Sequence, residues 1–334
     1  MTPTIKDVAK LANTSKSTVS RFLNGKPVRQ ETQQTLRRAI EELNYHPNSN
    51  ARRLVLNRTQ VIAIVVDDIS NSFYAPILKG IRSALEPHGY DCVFHTWSQR
   101  YPREVDFLRL GYEEQADGLI FVSFLQRSAE DIRLMKDAPF PIVVFGDDAG
   151  VAGVYSVDLD NALGISQIVR YLHRLGHRDI AYISGPTSTS ATHQRLSGFV
   201  ATLQDLGISM QNDRIVDSDW SYRGGYEAMR KLLNQGGFTA VVASNDESAL
   251  GALGAAQEQG YSIPKDFSLT GFDDIGVSRW VYPALTTVRQ PLLDLGRVLG
   301  GTLLSATIGV FESWENQRVR LNPELVIRNS CLSI

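Results

Sequence analysis

Beyond Gln60 the sequence alternates short apolar runs with longer stretches of helical periodicity, and that alternation fixes the class of fold. Residues 61–66, 91–95, 118–122 and 142–145 are strand-like, while 73–85, 105–115 and 132–137 between them carry helical stripes. Strand and helix in turn give parallel strands joined by helical crossovers, a doubly wound sheet. The pattern restarts after about residue 158, with a helix to 175, a strand at 180–184, helices over 192–206 and through 228–233, a strand at 240–243, a helix over 247–259 and a strand at 268–271. Two similar α/β lobes are expected. Residues 286–288, a helical 292–306 and strand-like pieces at 317–320 and 325–328 are too little for a third lobe and are expected to cross back and complete both. Lobe 1 is then about 60–157 with 289–316, and lobe 2 about 158–288 with 317–330.

The first 58 residues are of another character. They hold eleven Lys/Arg against four Asp/Glu, and the rest of the chain holds 23 against 32, so the net charge of -2 averages a basic head and an acidic body. A basic terminal head points to a polyanion, with nucleic acid as leading partner. Ile5, Val8, Ala9 and Ala12 form one helical stripe, and Asn13-Thr14-Ser15 interrupts it before Val19, Phe22 and Leu23 resume. Ser15 suits the cap of the second helix and Asn24-Gly25 its end, leaving Lys16, Ser17, Ser20 and Arg21 on its outer face. A third helix over about 31–44, with Leu36, Ile40 and Leu43 inward, closes a miniature core. The unit reads as a helix-turn-helix. In residues 45–58, Asn48 suits a cap after Pro47 and is followed by Arg52, Arg53, Arg58 and a Leu-Val-Leu cluster. A helix of about ten residues is marginal alone in water, so this linker is expected to order only on docking. Its arginines would meet phosphates, and Leu54 would wedge between minor-groove base steps.

Ile5-Lys6-Asp7-Val8-Ala9, Ser17-Thr18-Val19-Ser20-Arg21, Leu43-Asn44-Tyr45 and Pro47-Asn48 resemble the signature of the LacI/GalR family of bacterial transcriptional regulators. The resemblance continues through Leu175-Gly176-His177-Arg178, Ser184-Gly185-Pro186, Asn245-Asp246, Gly271-Phe272-Asp273-Asp274 and Leu285-Thr286-Thr287-Val288. It implies a helix-turn-helix headpiece over 1–46, a hinge helix over 47–59 and a periplasmic-binding-protein-like body over 60–334 for ligand binding and dimerisation. It places the second helix in the major groove and a pair of linkers in the minor groove. On that footing Lys16, Ser17 and Arg21 read bases, Leu54 is the wedge and Ala51 lines the linker pair. The full DNA-facing set is Thr4, Ser15, Lys16, Ser17, Thr18, Ser20, Arg21, Asn24, Tyr45, Asn48, Ala51, Arg52 and Leu54. One departure is Arg29, where relatives often carry a small capping hydroxyl.

Two facing α/β lobes put a ligand between the carboxyl ends of their strands and allow closure on it. Polar and aromatic residues gather at those ends: Asp67, Asp68, Asn71, Phe73, Asp147, Arg195, Trp220, Asn245 and Asp273, with His193 beside Arg195. Carboxylates, a guanidinium, an amide and flat rings suit a mono- or oligosaccharide, whose hydroxyl pairs and C–H face they match. By the resemblance Asp147, Arg195, Trp220, Asn245 and Asp273 contact ligand and Phe73 stands at the cleft mouth. The bland alternatives are an Asp capping the next helix and a Trp in the core. A purine or other flat metabolite would also stack on Phe73 and Trp220. The first strand runs into Asp67-Asp68-Ile69-Ser70-Asn71 without the glycine-rich turn a dinucleotide needs, and no Gly-x-Ser-x-Gly elbow occurs, so an enzyme is not expected. His173 and His177 are four apart, but Gly176 between them suits a helix end, so neither metal nor cofactor is expected. Cys92 and Cys331 give no disulfide or zinc spacing. The run 61–66 is far too short for a bilayer, and the N-terminus lacks a signal core, so a cytoplasmic protein is expected. No apolar heptads follow the last strand-like piece, which favours a dimer over a larger assembly. The expected function is a homodimeric repressor on a pseudo-palindromic operator, controlled by a small effector. The alternative is a sugar-binding protein or sugar-converting enzyme without specific DNA binding.

Overall fold

The structure, a computed structural model, describes residues 3–23, 26–46, 58–98, 101–146, 154–309 and 318–334. Asn24, Asn48, Ala51, Arg52, Leu54 and Asp147 lie outside the described residues. The chain divides into two compact units, Met1–Gln60 and Val61–Ile334.

In the first unit three helices, α1 (Ile5–Leu11), α2 (Lys16–Leu23) and α3 (Gln30–Glu42), enclose Val8, Ala9, Ala12, Val19, Leu36, Ala39 and Tyr45. The Asp7 carboxylate accepts from the Thr4 amide at 2.8 Å and the Thr4 hydroxyl at 2.7 Å, tying down the start of α1. Ser15 Oγ accepts from the Thr18 amide at 3.1 Å, the cap its position suggested. Arg29 precedes α3 and makes no side-chain cap bond, in line with its departure from the family pattern.

The body contains, among the described residues, a six-stranded and a four-stranded parallel sheet. The first holds β1 (Val61–Val66), β2 (Asp91–Thr96), β3 (Gly118–Val122), β4 (Ile142–Phe145), β5 (Tyr155–Leu159) and β11 (Arg318–Leu321), in the order β11-β5-β4-β3-β1-β2. The second holds β6 (Ile180–Ile183), β7 (Ile215–Val216), β8 (Ala240–Ala243) and β9 (Ser268–Thr270), in the order β7-β6-β8-β9. Each sheet runs outward in both directions from its first strand. Strands buried on both faces read as unbroken apolar runs, which is why 61–66, 118–122, 142–145 and 240–243 were legible.

Helices cover both faces. In lobe 1, α4 (Tyr74–Leu85) and α10 (Leu292–Thr307) pack on one face, and α5 (Ala129–Lys136) with a 3-10 segment Glu104–Leu108 on the other. In lobe 2, α8 (Tyr222–Gln235) and α9 (Asp246–Glu258) oppose α6 (Asn161–Arg174) and α7 (Ser190–Asp205). The 105–115 segment is this 3-10 piece followed by one α-turn, Arg109–Tyr112, rather than a single helix.

A two-stranded antiparallel pair, β10 (Thr287–Arg289) and β12 (Glu324–Val326), adjoins lobe 2 through bridges at Thr270–Thr286 and Asp273–Arg289. The chain therefore passes between lobes at 160, at 290–291 and at 322–323. One expectation is corrected: 318–321 pairs with β5 in lobe 1 rather than belonging to lobe 2. Its register puts Val319 beside Val157, so the chain returns to the first sheet before its last crossing.

Candidate functional site

On the head, Thr4, Ser15, Lys16, Ser17 and Arg21 are exposed, and Thr18 and Ser20 are half-buried on α2. Ser15 Oγ also shares hydrogen bonds with the hydroxyls of Ser17 at 2.7 Å and Thr18 at 2.8 Å. Arg21 donates to the Pro27 carbonyl at 3.0 Å, which aims its guanidinium along the turn after α2. A short helix with an exposed basic and hydroxyl face at its start has the shape that major-groove reading requires. Tyr45 differs from expectation: its ring is buried in the head core, so it supports the fold rather than presenting a ring outward.

In the body, both sheets reverse their strand order beside the first strand, and loops diverge there at the carboxyl ends. A cavity of about 290 Å³ lies between those loops. Asp67, Asp68, Asn71 and Tyr74 line it from after β1, and Phe124 and Leu125 from after β3. Pro186, Ser188 and Thr189 follow β6, Asp219, Trp220 and Ser221 follow β7, and Glu247 follows β8. Among the described residues, contacts join the two lips. Phe124 meets Trp220 edge-to-face with centroids 5.1 Å apart, Leu125 and Thr189 form a β-bridge, and Ser72 Oγ donates to Glu247 at 3.1 Å.

Under Trp220 lies a buried polar nest. Arg195, 2% exposed, has its guanidinium 5.4 Å from the Trp220 ring and 4.1 Å from that of Phe272. It donates through Nε to Asn161 Oδ1 at 2.8 Å and through Nη1 to the Ser244 carbonyl at 2.5 Å, and Nη2 stands 3.6 Å from Asp273. Asp273 Oδ1 also accepts from Gln290 Nε2 at 2.5 Å. Burial pushes the Asp273 carboxyl up to about 7 against the pull of Arg195. Trp220 donates to Ser244 Oγ at 3.0 Å, and its own carbonyl accepts from Asn245 at 2.8 Å.

The structure thus gathers Asp67, Asn71 and Trp220 on the cavity wall, with Arg195 behind Trp220 and Asp273 behind Arg195, neither of those two in the cavity lining. Three candidates fall elsewhere. Phe73, 2% exposed, packs with Tyr74, Phe124 and Phe145 in the lobe 1 core and offers no face at the mouth. Asn245 caps α9, its Oδ1 accepting from the Ser248 amide at 3.0 Å, so both ends of its amide are already engaged. His193 is exposed on the first turn of α7 and does not line the cavity. Sequence reasoning missed Phe124, Asn161, Ser244 and Gln290. Phe124 was within reach of the rule already in use, since it lies two residues past the end of β3. Asp246 was missed as a staple: its buried carboxylate accepts from the Ile275 amide at 2.9 Å, Ser278 Oγ at 2.6 Å and Thr287 Oγ1 at 2.5 Å.

Residues 4–48 match the family described as bacterial regulatory proteins, lacI family, and residues 169–331 match a periplasmic binding protein-like domain. Over 89% of its length the chain is 34% identical to catabolite control protein A of Priestia megaterium, covering 90% of that protein. It is similar to a solved complex of the transcriptional regulator CelR with cellobiose, at 32% identity over 98% of this chain and 99% of that one, with a TM-score of 0.73. It is also similar to a lac repressor dimer bound to operator and the anti-inducer ONPF, at 27% identity over 99% and 100% of the two chains, with a TM-score of 0.87.

Proposed function

Because the chain belongs to the lacI family of bacterial regulatory proteins, we propose that it acts as a homodimer on a pseudo-palindromic operator and that a sugar between its body lobes sets its operator affinity. It is a transcriptional repressor with an effector-binding body, and not an enzyme.

The observation that carries the sugar reading is the cavity at the two switch points, with carboxylates and hydroxyls on its wall and the Arg195–Asp273 nest beneath Trp220. Such groups bond neighbouring hydroxyls in pairs while a ring covers a C–H face. Phe124 and Trp220 meet at 69° rather than in parallel, so they do not form a slot for a flat base. That favours a sugar over a purine. The relative solved with cellobiose supports the same class.

For DNA, Lys16, Ser17 and Arg21 are the base-reading candidates, and Leu54 is the candidate minor-groove wedge. The likeness to an operator-bound dimer supports two heads on adjacent half-sites. The proposed site of action is the cytoplasm, because the operator lies there. Among the described residues no helix is long and apolar enough to cross a membrane. DNase footprinting on the promoter region beside its own gene tests the reading. A symmetric protected site is expected, lost in Lys16→Ala; salt-sensitive protection blind to sequence would overturn it.

A further inference from the structure

The buried nest is joined to every place where the chain passes between lobes. Asn161, which accepts from Arg195 Nε, is the first residue after the crossing at 160, and its Nδ2 donates back to the Leu159 carbonyl on the lobe 1 side at 3.3 Å. Gln290, which donates to Asp273, is itself in the second crossing, between β10 and α10. The third crossing is linked to the first, for the Asp160 amide donates to the carbonyl of Leu321, the last residue of β11. Arg195 and Asp273 therefore hold one polar chain from the cleft to all three connections.

The two ends of this chain are tied down by few bonds. Gln290 is 4% exposed, and its Oε1 has no donor among the described residues, so among them the bond to Asp273 is its side chain's one hydrogen bond. Asn161 is also buried, and its remaining partner is Gln194 at 2.8 Å on α7, another lobe 2 helix. A group that draws Asp273 or Arg195 toward a ligand must lengthen or redirect the bonds to Gln290 and Asn161. These two side chains are pinned to backbone that both lobes share.

On the reading of the chain as an effector-controlled repressor, the geometry points to Asn161 and Gln290 as positioning residues that convert the state of the Arg195–Asp273 pair into the angle between the lobes, and so into operator affinity. They act through that pair, one at each end. The physical warrant is a shared two-state element whose equilibrium both sites bias, rather than proximity alone.

The test is a double-mutant cycle on operator affinity, measured without any effector on the full chain, using the site found by footprinting. Asn161→Leu and Gln290→Met keep side-chain volume and remove the polar contacts. Each is expected to shift operator affinity three- to tenfold, and the double variant to shift it no further than the larger single change, because both cut one chain. Asn161→Asp keeps the acceptor for Arg195 but loses the donor to the Leu159 carbonyl, so it is expected to shift affinity as far as Asn161→Leu; wild-type affinity in it would overturn the link from the nest to lobe 1. Wild-type operator affinity in Asn161→Leu, Gln290→Met and the double variant, with only a lower melting temperature, would assign the residues to packing and overturn the inference. Fully additive shifts would also overturn it, since two independent routes would then be at work. Failure of the repressor reading itself shows differently, as absence of a specific site for the wild-type protein.

Discussion

Asp273 occupies a backbone conformation with φ of +119°, which residues other than glycine rarely adopt. Such strain costs about 1–3 kcal/mol and persists where the surroundings over-determine it, here through the amide bond to the Val288 carbonyl at 2.8 Å and the carboxyl bonds to Gln290 and Arg195. Burial, opposed by Arg195 and Gln290, raises this carboxyl to about 7 from 3.8. The native state then keeps a proton that the unfolded chain releases near pH 4. Stability from this group is complete below about pH 4 and lost as pH rises through about 7. Asp273→Asn removes that dependence, so the melting temperature of the variant relative to wild type is expected to improve between pH 5 and pH 8. One pKa unit is about 1.4 kcal/mol, so the change amounts to several degrees. A gap constant with pH, read by calorimetry, would mean that the carboxylate is ionised throughout. Trp220 and Asp273 stood out because each follows a strand end, and Arg195, on the second turn of α7, was singled out through the family resemblance. Asn161 and Gln290 were not, because an Asn or Gln at a crossing looks like any solvated loop residue until the fold returns the chain to the cleft.

At the scale of elements, the paired helices of each lobe approach closely enough to exclude a side chain between them. A Cβ on Gly251 of α9 would stand 1.9 Å from the Tyr222 carbonyl oxygen on α8, and one on Gly225 of α8 would stand 2.1 Å from the Ser248 carbonyl oxygen. Gly254, one turn from Gly251 on the same helix, would meet nothing within 4 Å. Opposite signs are expected. Gly251→Ala forces the helices apart at a cost of about 1–3 kcal/mol, whereas Gly254→Ala gains about 0.5–1 kcal/mol of helix propensity. Denaturant unfolding of the two variants decides it, and equal effects would show that α8 and α9 are not held at this distance in solution.

The elements that sequence missed fail for similarly physical reasons. In Tyr155–Leu159 the buried polar residues Ser156 and Asp158 break the apolar run, and β7 is two residues long. The lobe membership of 318–321 escaped because periodicity reports a strand and its faces but not which sheet edge will accept it.

Over the whole molecule the division of charge reaches into the cleft. The acidic remainder of the chain, 23 basic against 32 acidic residues, places Asp67 and Asp68 on one lip of the cavity and Asp219 and Glu247 on the other, with no Lys, Arg or His among the described residues of its lining. Burial pushes Asp67 and Glu247 up, and at Glu247 the charge of Asp68 on the facing lobe adds to that push. The hydroxyls of Ser70 and Ser221 hold Asp68 and Asp219 below the ordinary carboxylate value, so negative charge remains at the mouth at neutral pH. A phosphate group carries about -1.5 to -2 charges there. At an effective dielectric of about 20, two like unit charges about 8 Å apart repel by about 2 kcal/mol, already more than tenfold in affinity. On the sugar reading, each neutral saccharide that raises the melting temperature should therefore outperform its phosphate ester at equal concentration, and by more at low salt than at high. Glucose, galactose and cellobiose, each compared with its phosphorylated form in a thermal-shift assay, provide the measurement. A phosphorylated sugar that stabilised the protein more than its parent would require a cation at the cleft that the described lining lacks, and would turn the assignment of this cavity toward an anionic effector.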